Sequence, residues 1–266
     1  MATTPKNDDR RSEAANVLMS IARGNPPSAA DLERLHAYDD SVPRDGLELQ
    51  LSVLELWRAA SEEIGGWKIA WTSRQARDRG GPGFRPFGFV LASRMFQSGA
   101  SLDAHMVPNG VLEPEICLIL GKRLAGPNVT VEEARYAVSG VAPAFEICSQ
   151  RMPPDLSIAV RIGNDMNNWG MVVGPVRSPD LALDGLSVEL AQNDQVIATG
   201  SSSADVIDDP YLSLARVCRE LDGVGLALEP GHVVLTGSVA ASARMSTRGL
   251  VEGRFGPLGS VRLHVS

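Results

Sequence analysis

The sequence has few of the residues that mark several large classes of protein. Its 266 residues include only three cysteines and four histidines. Cys117, Cys148 and Cys218 are widely spaced in apolar runs, so they form neither a CxxC zinc pattern nor a disulfide framework. We therefore expect a reducing compartment, which for this chain means the cytoplasm.

Long apolar runs and blocks of positive charge are absent too. No stretch approaches the roughly 20 apolar residues that a membrane-spanning helix needs, and the N-terminus lacks the continuous apolar core of a secretory signal. The formal net charge is −7 without a basic block, which argues against a nucleic-acid partner. We expect a small-molecule ligand and no membrane. An acidic protein that handles an anion needs a local cation, either a metal ion or a placed lysine or arginine.

The order of helical and strand-like patterns predicts an α+β protein rather than a doubly wound parallel sheet. Helical spacing runs through the first quarter, where Ser28 can cap a second helix and Asp45 with Glu48 resembles a capping box for a third. From there on, short apolar runs broken by Gly and Pro indicate strands. We predict a helical N-terminal segment over residues 1–66 and a strand-rich catalytic domain over residues 67–266.

Three local signals shape the strand-rich part. Thr130 and Glu133 form a second capping box, for a short helix. Asp209 followed by Pro210 predicts the start of another helix. Asn193-Asp194 lies between two strand-like runs and predicts a hairpin turn.

Carboxylates occur at unusual places in two apolar stretches. As a strand, Val111–Leu120 would point Glu113 and Glu115 to one face and its leucines to the other. Two like charges this close repel each other, and a bound dication would turn that repulsion into affinity. Glu146 lies in a second apolar stretch, Val141–Cys148, where a lone buried carboxylate costs several kcal/mol unless it is paired or metal-bound.

These acids also have ordinary explanations. A Glu-x-Glu pair on a strand is usually a solvated face, and Glu146 could pair with an arginine such as Arg151. Pro114 cannot donate to a ladder, so it predicts that this end of the strand is an edge or an opening. In the metal-binding interpretation, three carboxylates without a histidine or cysteine cluster suit a hard ion such as Mg²⁺.

One lysine lies among aromatic and apolar neighbours, in Gly65–Thr72. Lys68 could be a lysine at a strand edge whose stem packs on apolar groups while its amine reaches water. The functional alternative is a desolvated amine whose pKa is lowered by a nearby dication and which moves protons. The local sequence leaves both interpretations open.

Four motifs, in order, carry a resemblance to one known family. They are Gly-Trp-Lys-Ile-Ala-Trp-Thr-Ser, Glu-Pro-Glu-Ile-Cys-Leu-Ile-Leu, Pro-Ala-Phe-Glu-Ile-Cys-Ser and Pro-Gly-His-Val-Val-Leu-Thr-Gly-Ser. Together they resemble the 2-oxopent-4-enoate hydratase and 4-oxalocrotonate decarboxylase branch of the fumarylacetoacetate hydrolase superfamily. The resemblance extends from about Leu47 to the C-terminus. It implies a mixed, strongly curved β-roll with the helical segment packed alongside.

The resemblance also implies a site and a chemistry. Mg²⁺ or Mn²⁺ would be held by Glu113, Glu115 and Glu146, and the carboxylate and 2-oxo groups of a small 2-oxo acid would chelate it. Lys68 would be the catalytic group that moves a proton between the dienol and keto tautomers. Thr236 would help to hold the substrate carboxylate. The branch commonly forms homo-oligomers.

Two elements depart from the hydratase pattern. Where the family has Pro-Asp-Phe-Gly, this chain has Phe84-Arg-Pro-Phe-Gly88, so Pro86 takes the place of the aspartate. The family's Asp-Asn-Ala-Ser element is Asp165-Met-Asn-Asn168 here, and we expect Asp165 to contact the substrate. Arg85 could bind a second carboxylate, which would favour a dicarboxylic substrate and decarboxylation, or it could be a surface-loop arginine.

The sequence therefore predicts a metal-dependent lyase, with a 2-oxopent-4-enoate hydratase ahead of a 4-oxalocrotonate-type decarboxylase. Hydrolysis of a C–C bond in a 1,3-diketo acid would call for a histidine base near the metal. The histidines, His36, His105, His232 and His264, are scattered, and we expect a structural role for His232. A recruited lyase or isomerase, or a catalytically silent partner subunit, would also explain the two altered elements.

Overall fold

The computed structural model describes residues 5–38, 43–79 and 81–266. Within these ranges the chain forms six α-helices and thirteen β-strands. The helices are α1 (Pro5–Ala22), α2 (Ala29–Ala37), α3 (Pro43–Ala59), α4 (Val131–Ala137), α5 (Ile158–Gly163) and α6 (Pro210–Asp222). The strands are β1 (Ile64–Ile69), β2 (Phe87–Leu91), β3 (Met95–Gln97), β4 (Ala100–Leu102), β5 (Gly110–Leu120), β6 (Val138–Ser149), β7 (Asn168–Val173), β8 (Ser187–Gln192), β9 (Gln195–Ser201), β10 (Val233–Ser238), β11 (Ala243–Arg244), β12 (Gly249–Arg254) and β13 (Ser260–Val265).

The strands form two mixed sheets. The larger has the order β2-β1-β10-β5-β6-β7-β3, with β11 also paired to β5, and the smaller has the order β4-β13-β12-β8-β9. The sheets pack against each other at Gly253 of β12, where a Cβ atom would come within 3.1 Å of the Phe145 ring of β6. In the part of the chain that is described, neither sheet closes into a barrel. The predicted α+β class is confirmed.

The N-terminal helices pack on one another, α1 against α2 and α3, and α3 also packs against α5. α3 buries an apolar face with Leu54 and Trp57, because its apolar residues recur at helical spacing. Gly46 lets α3 approach α5 closely, since a Cβ atom there would lie 2.7 Å from the Ala159 carbonyl oxygen. None of the described helices is both long and apolar enough to cross a bilayer.

The first strand begins slightly earlier than the predicted division of the chain. β1 starts at Ile64, inside the predicted helical segment 1–66. The division into residues 1–66 and 67–266 as separate units stays a prediction. The predicted capping box at Asp45 is wrong, because α3 begins two residues earlier, at Pro43. A proline is well suited to a first helical position, since its ring already holds a helical φ and it has no N–H to satisfy.

The other local predictions are confirmed. Ser28 caps α2 in a reciprocal capping box with Asp31. Thr130 and Glu133 form the capping box of α4, and Asp209 accepts a hydrogen bond from the backbone of α6. The predicted turn Asn193-Asp194 joins β8 to β9 with φ values of 50° and 66°, as a tight hairpin of this type requires.

The prediction of an edge or opening at Pro114 is wrong as to the edge. β5 lies between β10 and β6, in the middle of the larger sheet. The missing N–H is tolerated because the register between β5 and β10 shifts between Leu235 and Ser238, so the ladder is interrupted there. The Pro114 carbonyl still accepts a hydrogen bond from the backbone N–H of Val239, at 2.9 Å. The alternative of an opening there stays a prediction.

Candidate active site and family

Strand register brings the predicted acids together. In the antiparallel pair β5–β6, Glu113 lies directly opposite Glu146. Glu115 is two residues further along β5 and therefore faces the same side. Glu115 and Glu146 are only 1% and 2% exposed, whereas Glu113 is partly exposed. The solvated-face interpretation of the Glu-x-Glu pair is wrong for Glu115.

Lys68 is buried beside these acids. It lies on β1, which is separated from β5 by β10, and its side chain is 6% exposed. Its Nζ atom lies 3.0 Å from Oε1 of Glu146 and donates a hydrogen bond to the Met166 carbonyl oxygen at 3.3 Å. The interpretation of Lys68 as a lysine reaching out to water is wrong. Instead, its ammonium offsets part of the negative charge of the cluster.

The charges of the protein alone keep this lysine protonated. Burial by itself lowers the pKa of Lys68, but nearby anionic groups, Glu146 foremost, raise the pKa above its usual range. The pKa lowering predicted from the sequence requires a dication, and the protein groups by themselves produce the opposite shift. Lys68 thus keeps its proton in the metal-free protein.

The acids resist being ionised together. Burial, then repulsion from Glu146, raises the pKa of Glu113 to about 7. Burial and the same kind of repulsion raise the pKa of Glu115 well above its usual range. Lys68 supplies one positive charge against these three carboxylates. A hard divalent ion with oxygen ligands fits this donor set, because it would relieve the remaining repulsion.

Cys148, which was not among the predicted site residues, also belongs to this cluster. Its Sγ atom and one carboxylate oxygen each of Glu113 and Glu146 lie within 4.8 Å of one another. Burial raises the pKa of the Cys148 thiol well above its usual range. The signal was present in the sequence, because residues two apart on a strand share a face, as Glu146 and Cys148 do.

A strained turn supports both Lys68 and Glu146. Asp165, Met166 and Asn167 have φ values of 56°, 49° and 67°, a left-handed conformation that costs a non-glycine residue of order 1 kcal/mol or more. The turn directs the Met166 carbonyl oxygen at Lys68. Asn168 follows directly, and its Nδ2 donates to Oε1 of Glu146 at 2.9 Å.

Asp165, the predicted substrate contact, is tied into the scaffold. Its Oδ1 accepts hydrogen bonds from Gln50 Nε2 at 2.7 Å and from the backbone N–H of Phe89 at 2.9 Å. Burial raises the pKa of Asp165 to about 7. A Cβ atom at Gly88 would come within 2.9 Å of both this Oδ1 and the Lys68 side chain, so glycine is required there. The substrate contact of Asp165 stays a prediction.

Arg85 is buried in an ion-pair cluster. Its residue is 1% exposed, and Nε donates to Oδ2 of Asp208 at 2.6 Å. Arg77 and Arg216 also contact Asp208, at 2.9 and 3.1 Å. The alternative of a surface-loop arginine is wrong. The predicted binding of a second substrate carboxylate by Arg85 stays a prediction, and the contacts of its guanidinium are with Asp208, Asp78 and the Phe84 carbonyl.

The Leu-Thr-Gly-Ser turn holds one of the acids in place. The Thr236 hydroxyl donates to the Ile116 carbonyl at 2.9 Å, and the Gly237 N–H donates to Oε2 of Glu115 at 2.7 Å. Gly237 has a φ of 107°, and a Cβ atom there would collide with the Thr72 hydroxyl. The turn therefore orients Glu115. The predicted contact of Thr236 with the substrate stays a prediction.

His232 and Arg151 make hydrogen bonds that are structural. Nδ1 of His232 accepts hydrogen bonds from Trp67 Nε1 at 3.1 Å and from the Glu229 N–H at 3.0 Å, as befits the predicted structural role. Arg151 donates to backbone carbonyls, including that of Asn168 at 3.5 Å. The alternative pairing of Glu146 with Arg151 is wrong, because Glu146 pairs with Lys68.

Known proteins share the sequence and the fold of this chain. The family model described as fumarylacetoacetate (FAA) hydrolase C-terminal matches residues 67–266. The chain is 32% identical over 211 residues to a 4-oxalocrotonate decarboxylase from a Pseudomonas species, covering 78% of this chain and 81% of that protein. It is 29% identical over 210 residues to a 2-hydroxyhexa-2,4-dienoate hydratase from Comamonas testosteroni, covering 76% and 78%.

The likeness in three dimensions includes the N-terminal helices. The structure of 4-oxalocrotonate decarboxylase from Pseudomonas putida G7, complexed with magnesium and adipate, superposes with a TM-score of 0.86. The match covers 100% of both chains at 19% sequence identity, so it shows a shared fold. The family model spans most of the chain, and the Pseudomonas relative exceeds 30% identity over more than two thirds of it. The chain belongs to the fumarylacetoacetate hydrolase family.

Proposed function

We propose that this chain is a divalent-metal-dependent lyase that acts on a small 2-oxo acid or its 2-hydroxydienoate tautomer. The observation that carries the proposal is the ammonium of Lys68, 3.0 Å from Glu146 within a cluster of three carboxylates. A proton-moving group beside a set of oxygen ligands suits chemistry that passes through an enolate. The names of the decarboxylase and hydratase relatives support the same substrate class.

Glu113, Glu115 and Glu146 would hold the metal ion, Mg²⁺ or Mn²⁺, because hard divalent cations prefer oxygen ligands. When bound, the ion would supply Lewis-acid stabilisation of the negative charge that develops on a 2-oxo group. The magnesium in the similar decarboxylase from Pseudomonas putida G7 supports this assignment. Gly237 and Asn168 would keep two of the acids oriented, through the hydrogen bonds that they donate to Glu115 and Glu146.

Lys68 would move the proton that distinguishes the dienol from the keto tautomer. An ammonium has three N–H donors, and two of them are engaged by Glu146 and the Met166 carbonyl. These two partners fix the position of Nζ and leave the third donor for the substrate. Lys68 and Glu146 are almost completely buried, so little water would compete with the substrate for a proton at Nζ.

Hydration of the 2-oxopent-4-enoate type is the first candidate reaction. The carboxylates of Asp208 and Asp78 already engage Arg85, the cation that we expected for a second substrate carboxylate. A monocarboxylic substrate needs no such cation. Decarboxylation of the 4-oxalocrotonate type is the second candidate, and the 32% identity to a 4-oxalocrotonate decarboxylase favours it.

The test is turnover of a small substrate panel with Mg²⁺. Purified protein is mixed with 2-hydroxy-2,4-dienoates and 2-oxo-3-enedioates, loss of the conjugated dienol is followed in the ultraviolet, and released CO₂ is measured in parallel. Loss of the dienol without CO₂ establishes a hydratase, and loss with CO₂ establishes a decarboxylase. Glu115→Gln should abolish either reaction. Bound metal without turnover of any substrate would contradict the proposal and point to a recruited activity or a silent subunit.

We further infer a cytoplasmic homo-oligomer. The cysteines Cys117, Cys148 and Cys218 are all unpaired and buried, which supports a reducing compartment. The oligomer is an expectation from the family resemblance, and light scattering coupled to size-exclusion chromatography would test it. A particle with the 28.3 kDa mass of one chain would contradict this part of the proposal.

A further inference from the structure

The thiol of Cys148 lies beside two of the candidate metal ligands, although the proposed function gives it no task. Its Sγ atom lies within 4.8 Å of carboxylate oxygens of both Glu113 and Glu146. The residue is 6% exposed, and the described ranges 5–38, 43–79 and 81–266 contain no hydrogen-bond partner for the thiol. A buried sulfur atom without a hydrogen-bond partner, close to two carboxylates, has the surroundings of a metal ligand.

The strand register explains how Cys148 can serve the same ion as the acids. Glu146 and Cys148 are two apart on β6 and share a face, and Glu113 on β5 lies opposite Glu146. Cys148 lies opposite Val111, whereas Glu115 is displaced from Glu113 in the other direction along β5. The Glu113–Glu146 pair is thus flanked at one end by an oxygen donor, Glu115, and at the other by a sulfur donor, Cys148.

We propose that Cys148 is a metal ligand and that it forms, with Glu113 and Glu146, a mixed sulfur–oxygen position for a thiophilic divalent ion such as Zn²⁺. The inference rests on the metal centre of the proposed function. Binding releases the thiol proton to solvent, and the resulting thiolate forms the metal–sulfur bond. Thiolate ligands favour Zn²⁺, whereas carboxylates alone suit Mg²⁺ and Mn²⁺.

The position at Cys148 and the all-carboxylate position exclude each other, because both use Glu113 and Glu146. An ion bound at Cys148 also draws on the carboxylate that positions Lys68. Zn²⁺ therefore competes with Mg²⁺ for the site. A hard ion would bind at the Glu115 end of the carboxylate pair, and a thiophilic ion would bind at the Cys148 end.

Cobalt(II) absorption reports the ligand atoms directly. Metal-stripped full-length protein is titrated with Co²⁺, which replaces Zn²⁺ and, unlike it, absorbs light. We expect a sulfur-to-cobalt charge-transfer band in the near ultraviolet together with visible d–d bands. In Cys148→Ser the charge-transfer band should be lost while d–d bands remain. The matched control is Cys117→Ser, since Cys117 is also buried on β5 but lies outside the ligand group, and it should keep the band.

Competition with Zn²⁺ gives a second readout. The Zn²⁺ affinity of Cys148→Ser should fall by at least the roughly 10-fold that the loss of an outer-shell partner costs, while its Mg²⁺ affinity stays unchanged. Wild-type d–d bands without a charge-transfer band would overturn the role of Cys148 and leave the metal centre intact. No Co²⁺ binding by the wild type would overturn the metal centre and, with it, this inference. Both outcomes are decided on wild-type protein, so they do not depend on the folding of a variant.

Discussion

The Nζ atom of Lys68 lies 3.0 Å from Oε1 of Glu146, and both side chains are almost completely buried. The same carboxylate oxygen accepts a hydrogen bond from Asn168. Glu146 is therefore shared between a cation, an amide and the two neighbouring ligand candidates, Glu113 and Cys148. The contacts of this one carboxylate thus join Lys68 to the candidate metal ligands.

Replacing Lys68 should lower both the activity and the stability of the protein, and Mg²⁺ should restore part of the stability. Lys68→Met should lower kcat/KM by at least about 100-fold, the usual contribution of an acid–base group. In the metal-free protein it should also cost about 3 kcal/mol of unfolding free energy, because it leaves buried carboxylates without their cation. Urea unfolding with and without Mg²⁺ measures this, and added Mg²⁺ should restore part of the loss.

Lys122→Met is the control for the lysine substitution, since Lys122 is exposed and stacks on the Tyr136 ring. It should change neither the activity nor the response to Mg²⁺. Full activity in Lys68→Met would remove Lys68 from the reaction.

The stability of the metal-free protein should depend on Glu113 and on pH. The pKa of Glu113 is raised from 4.5 to about 7 in the folded state. The folded state thus favours the protonated acid. The stabilisation from protonated Glu113 is present in full below pH 4.5 and is lost as the pH rises through about 7. The Tm of the wild type, compared with that of Glu113→Gln, should therefore fall as the pH rises from 4.5 to about 7.

Saturating Mg²⁺ should abolish that difference, because the bound ion favours the ionised carboxylate. Glu229→Gln is the control, since Glu229 is an exposed acid paired with Arg123 on the surface. Parallel pH profiles for the wild type and Glu113→Gln in EDTA would refute the electrostatic account of the cluster.

Gln50 should couple the N-terminal helices to the active site. Its Nε2 donates to the Phe87 carbonyl at 2.8 Å and to Asp165 at 2.7 Å, and Asp165 begins the turn whose next carbonyl contacts Lys68. Gln50→Leu should cost about 1–3 kcal/mol of stability, because it removes two buried hydrogen bonds. It should also lower kcat, since the turn that positions Nζ of Lys68 loses its support.

Gln192→Leu is a matched control for this substitution. Gln192 also donates to two acceptors, the backbone carbonyls of Arg244 and Thr247, but it lies in the smaller sheet. We expect a similar loss of stability with kcat unchanged. Equal effects of the two substitutions on kcat, measured well below the Tm of each variant, would show that Gln50 has no positioning role.

Arg85 should contribute to stability rather than to substrate choice. Arg85→Met should cost about 3 kcal/mol of unfolding free energy, which is the lower end of the range for a broken buried ion pair. The loss should be at this lower end because Asp208 keeps its ion pairs with Arg77 and Arg216. The ratio of kcat/KM for monocarboxylic and dicarboxylic substrates should stay the same. A loss confined to dicarboxylic substrates would instead establish Arg85 as the partner of a second carboxylate.

Much of the local structure and part of the site could be predicted from the sequence. The capping boxes at Ser28 and Thr130 were predictable because their hydrogen bonds span only three residues. The Asp45 cap was not, because a proline two residues earlier already starts the helix. Strand alternation placed Glu113 and Glu115 on one face, and the same rule applied to Glu146 would have identified Cys148.

Helical and strand periodicity, the starts of α2, α4 and α6, and the acids that share a strand face could be predicted from the sequence, because each of these depends on neighbours a few residues away. The pairing of Lys68 with Glu146, of Arg85 with Asp208 and of Gln50 with Asp165 appears only in the folded chain. These pairs lie far apart in the chain, and the order and register of strands bring them together. Register is set by the packing of the whole sheet on its core, so short-range spacing carries no information about which charge meets which.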